Sequence, residues 1–130
     1  MLLDVFGADA TFGPDSRSML AECLATGRVV ACEVVWAEVA GFFPSLRAAE
    51  QAMDALGVDY SAMQRGAALG AAQSWKIYRQ RGGSRQRMVA DFLIGAHACS
   101  HSEQLLTRDR GFYRAYFSGL KILRPSGVDP

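Results

Sequence analysis

The chain has 130 residues, 14 basic against 13 acidic, for a formal net charge of +1, and half of its residues are apolar. That size fits a single domain of ordinary globular composition. The near-neutral charge excludes a protein that coats nucleic acid by bulk charge, though not a nuclease whose basic residues gather in one patch.

No apolar run approaches the ~18 residues of a membrane span, and the N-terminus lacks the basic start and small-residue cleavage site of a secretory signal. Cys23, Cys32 and Cys99 are odd in number and without CxxC spacing. This argues against a disulfide framework or zinc knuckle and for a reducing, cytoplasmic setting.

In chain order, Ser16 to Ala25 reads as a helix, with Asp15 as N-cap, an apolar stripe of Met19, Leu20, Cys23 and Leu24, and Gly27 as the stop. Arg28 to Cys32 is a β-branched run expected to be a buried strand. Glu33 to Phe43 returns to a helical pattern that Pro44 ends. Arg47 to Leu56 is a further helix closed by Gly57, and Val58 to Tyr60 a short strand. Ser61 to Tyr78 reads as a long helix with Met63, Ala67, Gly70, Ala71 and Trp75 on one side, followed by the polar loop Gln80 to Arg87. Helix Ala90–His101, strand Gln104–Leu106, helix Arg110–Tyr116 and strand Lys121–Leu123 complete the chain. Strands alternating with helices imply crossovers and a parallel sheet covered on both faces, so the expected fold is a three-layer α/β/α sandwich with a central parallel sheet.

Three acids fall at strand ends or helix starts: Glu38 in VVWAE, Asp91 opening ADFLIGAHA, and Asp109 closing LLTRD. In open parallel sheets, ligands bind beyond the carboxyl ends of the strands, where such acids can meet. Three clustered carboxylates repel unless a cation joins them, and all-oxygen ligands favour Mg²⁺ or Mn²⁺ over zinc. Such a site suits metal-dependent phosphoryl hydrolysis. A structural reading stands beside it, with Asp91 and Asp109 as helix caps and Glu38 as a solvated surface acid. The apolar neighbours of Glu38 and Asp91 favour the ligand reading, because an acid in an apolar setting needs a partner or an ion. Position alone leaves both open.

The run GGSRQRMVADFLIGAHACSHSEQLLTRDRGFYRAYFSGLKIL resembles the C-terminal half of PIN-domain ribonucleases of the VapC toxin type, and VVWAE resembles their V-x-Y-A-E segment. DFLIGAHA followed by LLTRD at this spacing is a specific match, and the resemblance runs in order from Asp4 onward. It implies a PIN-like fold and a metal site built from Glu38, Asp91 and Asp109, with Thr107 as the hydroxyl beside the last acid. Ala90 replaces the usual proline. The implied activity is Mg²⁺- or Mn²⁺-dependent endoribonuclease, the implied assembly a homodimer, and the implied partner a VapB-like antitoxin.

The N-terminus departs from the pattern. The family opens with a central strand ending in D-x-N or D-x-S, whose Asp is a metal ligand, and a segment like V-L-L-D follows. Here LLDVFGADATFGPDS resembles that later segment, which places the first Asp and the central strand upstream of Met1. A competing register makes Met1 to Leu3 the strand and Asp4 the first metal ligand. It puts Gly7, Ala8 and Asp9 where a helix should be apolar, and Gly7 and Asp9 are poor helix formers, so the first register is preferred. The expectation is a single PIN-like domain over 1–130 that lacks the N-terminal strand, with about eight further residues upstream.

Lys76, Arg79, Arg81, Arg85 and Arg87 form a basic stretch without an intervening acid. It reads as a phosphate-tracking stripe for RNA, with Arg79, Arg81, Arg85 and Arg87 as contacts, or as a solvated helix end complementing the helix dipole. Gly82 and Gly83 suggest an adaptable loop. His97 and His101 have metal-clamp spacing but no evident third ligand, so packing of one and solvation of the other is expected. Trp36, Phe42, Phe43 and Trp75 are expected mostly in the core. Two alternatives to the ribonuclease remain: a catalytically impaired module that binds antitoxin or RNA without cleavage, and a DNA-processing enzyme using the same acids.

Overall fold

The computed structural model describes residues 1–84, 87, 89–109 and 111–125, with the side chain of Asp4 outside that description. Its elements are α1 (Leu2–Phe6), α2 (Gly13–Thr26), β1 (Val29–Ala31), α3 (Glu33–Phe42), α4 (Leu46–Leu56), β2 (Val58–Tyr60), α5 (Arg65–Gln80), α6 (Val89–His101), β3 (Gln104–Leu106), α7 (Phe112–Tyr116) and β4 (Lys121–Leu123). The α/β order and the parallel pairing are as the sequence implied. The sheet, however, is split. Among the described residues β1 pairs only with β2, Val29 opposite Val58, and β3 only with β4, Gln104 opposite Lys121. Residues 1–3, a strand in the competing register, enter helix α1 instead.

Each strand pair carries its own core. Ala31, Val39, Met53 and Val58 are buried together under Leu2, Phe6 and Trp36. Around α5, α6 and α7, Ala67, Ala71, Phe92, Ala96, Phe112 and Phe117 form the second. The small residues of α5 and α6 let these helices lie close. Gly95 is required there, because a Cβ would collide with the Phe117 ring.

The segment 61–64 joins the halves, and it overturns the expectation that the long helix begins at Ser61. Ser61 Oγ lies 3.1 Å from His97 Nε2 of α6. Met63 N donates to both carboxylate oxygens of Glu33 of α3 at 3.0 and 3.2 Å, and Gln64 N donates to His101 Nε2 at 3.3 Å. Those bonds hold the segment out of helical geometry, and α5 starts at Arg65. His97 is buried and His101 stacks 4.7 Å from it. The two histidines therefore fasten a loop: His97 packs as expected, whereas His101 is half-buried and hydrogen-bonded rather than simply solvated.

Other boundaries move for local reasons. Asp15 is not the cap of α2 but lies in its first turn after Pro14, with Phe12 at the N-cap. Asp9 Oδ1 accepts from Thr11 N and Phe12 N at 2.9 and 2.7 Å, making the turn that feeds α2. Ser45 Oγ caps α4 through Ala48 N, and Gly57, with φ +89°, closes it in the left-handed region. Phe42 is 52% exposed rather than core. Among the described residues no helix is long and apolar enough to cross a membrane.

Candidate active site

Asp109 is held from three sides. After β3, Thr107 N donates to Leu123 O of β4 at 3.0 Å, and Thr107 Oγ1 accepts from Asp109 N at 3.1 Å. Asp109 Oδ2 accepts from Gly111 N, Phe112 N and Tyr113 N at 3.0, 2.7 and 3.4 Å, which makes Asp109 the acceptor for the start of α7. Its other oxygen, Oδ1, accepts from Arg87 Nη2 at 2.7 Å. The Asp109 side chain is 10% exposed and that of Arg87 34%. Burial pushes the Asp109 carboxyl up, but the Gly111 amide, Arg87 and the Phe112 amide together outweigh it and hold it below the ordinary carboxylate value.

Asp91 is the third residue of α6, half-buried in its first turn, where a negative charge suits the helix dipole. It therefore lies inside the helix rather than at its cap. Phe92 beside it is fully buried. Glu38, one turn before the end of α3, is exposed, while its neighbour Val39 is buried. The apolar residues around Glu38 thus face inward without burying it, which removes burial as an argument for a ligand there.

The three acids share a neighbour that the sequence did not single out. Tyr113 of α7 is buried, and burial, its largest influence, pushes the phenol well above its ordinary value. Asp91, Asp109 and Glu38 push it further in the same direction, while Arg87 opposes them. All three carboxylates and one guanidinium therefore stand within electrostatic reach of one phenol. The available signal was Tyr113 four residues after Asp109 on a short helix, a spacing shared by many capped helices.

The basic stretch divides. Arg87 is ion-paired to Asp109, with its guanidinium 4.3 Å from the centre of the Phe112 ring. Arg81 lies over Tyr116 at 5.6 Å, so both flank α7. Arg79 folds back over Trp75 of its own helix at 5.5 Å, and Lys76 is exposed. Arg85 lies outside the described residues. Beside Asp109, a recess is lined by Gly111, Tyr113, Arg114, Ile122 and Arg124.

Whether these residues can hold a divalent ion divides into chemistry and arrangement. The donor set of carboxylate oxygens suits Mg²⁺ or Mn²⁺. The arrangement does not close around an ion: no group of three potential ligands stands together among the described residues, and Asp109 is taken by Arg87 and the α7 amides. Asp4 belongs to α1, but its side chain lies outside the described residues.

Comparison with known proteins agrees with the fold. No curated protein sequence matches the chain. Its fold is similar to that of VapBC-1 from nontypeable Haemophilus influenzae, with a TM-score of 0.64 at 16% identity over 85% of this chain and 84% of that one. It is also similar to VapBC2 from Rickettsia felis, solved bound to a DNA fragment from the promoter, with a TM-score of 0.65 at 11% identity over 96% of this chain and 92% of that one. The PIN domain model matches residues 9–118. On that match, which spans most of its length, the chain belongs to the PIN domain family.

Proposed function

We propose that the chain is a metal-dependent endoribonuclease, the toxin half of a VapBC-type pair, cytoplasmic and homodimeric, with a VapB-like antitoxin as partner. The observation that carries this reading is the PIN domain match over residues 9–118, supported by the shared electrostatic influence of Glu38, Asp91 and Asp109 on the Tyr113 phenol and by the Arg87–Asp109 pair. The two VapBC structures of like fold support the toxin–antitoxin part. In this reading Asp91 and Asp109 hold the cation, with Glu38 at the exposed rim, and Thr107 fixes the backbone that presents Asp109. A Mg²⁺ or Mn²⁺ ion bound there would polarise the phosphodiester and acidify a water. Arg79, Arg81 and Arg85, together with Arg87, contribute positive charge for the RNA backbone, which positions a substrate without reading its bases.

A strand upstream of Met1 belongs to the same proposal. Among the described residues β1 and β3 each pair on one edge, and one extended segment bonded to both would unite the two strand pairs and add a further acid. The incomplete grouping of acids among the described residues favours a second reading, in which the chain binds antitoxin or RNA without cleaving. The test is cleavage of structured RNA by antitoxin-free protein with Mg²⁺ or EDTA, for this chain and for one extended upstream, each with and without Asp91→Asn. EDTA-sensitive cleavage that Asp91→Asn abolishes in a folded protein is expected of at least the extended form. Folded but inactive protein in both lengths would replace the enzyme with the binding module.

A further inference from the structure

We propose that Tyr78 is a positioning residue that fixes the turn 81–84 and so presents Arg81 to the phosphates of a single-stranded RNA. The inference rests on the ribonuclease reading and adds the residue that gives its basic turn a defined place. Tyr78 lies in the last turn of α5 and is only 9% exposed. Its ring meets Phe92 and Tyr116 edge-on at 5.4 Å and Phe112 at 6.2 Å. A buried tyrosine needs a partner for its hydroxyl. Here the hydroxyl reaches past the end of the helix and donates to Ser84 O at 2.7 Å. The backbone of Tyr78 takes a second hold, its carbonyl accepting from Gly83 N at 2.9 Å.

The turn is shaped to accept that hold. Gly82, with φ +77°, turns the chain back toward the helix end in the left-handed region. Gly83 then lies against the Tyr78 ring, where a Cβ would stand 2.4 Å from Cε1. The ring cannot yield, because three aromatic neighbours pack against it. Arg81 caps α5, its N–H donating to Ile77 O at 3.0 Å, and its guanidinium lies 5.6 Å over the Tyr116 ring that packs on Tyr78. Backbone and side chain of Arg81 are thus both referred to Tyr78. Arg81 is exposed, so a guanidinium of defined place faces solvent. A phosphodiester suits it, because arginine's planar fork matches phosphate oxygens and such a contact places a strand without reading its bases. Fixing the turn beforehand spares the entropy of ordering it on binding.

The test is fluorescence anisotropy of short labelled oligouridine and oligoadenosine RNAs, in EDTA to prevent metal-dependent cleavage, over a series of KCl concentrations. Tyr78→Phe keeps the ring and loses the bond to Ser84, while Gly83→Ala keeps the hydroxyl and pushes the turn off the ring. Each is expected to weaken binding of both RNAs about two- to fivefold, the range for one exposed charged contact. Each should also make the salt dependence shallower by about 0.7 in log–log slope, the share of one single-stranded phosphate contact. A merely structural role would lower the melting temperature without moving that slope. Arg81→Gln is expected to match these effects, and adding Tyr78→Phe to it should cost little more, since the tyrosine acts through Arg81. Unchanged affinity and slope in folded Tyr78→Phe and Gly83→Ala would overturn the proposal. So would a Tyr78→Phe effect undiminished in the Arg81→Gln background. A loss confined to one of the two RNAs would overturn it in favour of base stacking. If the parent chain binds neither RNA, the RNA reading itself falls, and the proposal with it.

Discussion

Replacing Asp109 by alanine and by asparagine separates what its charge does from what its capping geometry does. Alanine removes the acceptor for three amides of α7 and the partner of Arg87 together. Loss of a capping side chain costs about 0.5–2 kcal/mol. The Arg87 pair adds roughly 0.5–1 kcal/mol, because the guanidinium is 34% exposed and can turn to water when its partner goes. Asparagine caps as well as aspartate, so it keeps the first contribution and loses only the second. Its amide nitrogen would face Arg87, which can swing outward to avoid it. For a domain of this length, roughly 3–5 °C per kcal/mol follows, interpolating between smaller and larger proteins. Asp109→Ala should then melt about 3–15 °C below the parent, and Asp109→Asn less than about 5 °C below it. Thermal unfolding followed by far-ultraviolet circular dichroism reads both. Variants that melt together, or an alanine variant as stable as the parent, would refute the capping role. If the difference holds, lost activity in the alanine variant reports the fold as much as the chemistry, and asparagine is the substitution to use.

Two further outcomes follow from packing and titration. Gly95→Ala gains helix propensity of about 0.8–1 kcal/mol but drives a methyl into the Phe117 ring, so a net loss of roughly 1–2 kcal/mol is expected in urea unfolding, and a stabilised variant would show that Phe117 yields. His97 is held below its ordinary value of 6.5 by burial first and by His101 next, against the opposing effects of Ser61 and Glu33. The unfolded chain therefore takes up the proton first, so this contribution is whole above about pH 6.5 and fades as pH falls from there toward the folded value. Melting temperature measured from pH 8 to 5.5 should fall with acid and fall less in His97→Gln, and parallel curves would remove His97 as the cause.

The sequence by itself determined the order of elements, because short strand segments at 29–31, 58–60, 104–106 and 121–123, the first of them β-branched, alternate with helical periodicity, and Gly57 supplies its own left-handed stop. Those are local properties, set by side-chain shape and backbone freedom within a few residues. The motifs also marked Glu38, Asp91 and Asp109. What surrounds them was decided by tertiary structure. Arg87 and Asp109 are far apart in the chain, and nothing in QRGGSRQR says which arginine meets the acid. Tyr113 became the common neighbour only because α7 folds beside α6. Residues 61–64 read as helix, yet bonds to Glu33, His97 and His101 outweigh that propensity. Strand pairing is likewise non-local: β1 and β3 carry the pattern of strands wherever they pair, but a parallel ladder needs a neighbour at both edges to become one sheet. Among the described residues each has a single neighbour, and the fold divides into two cores fastened by a loop.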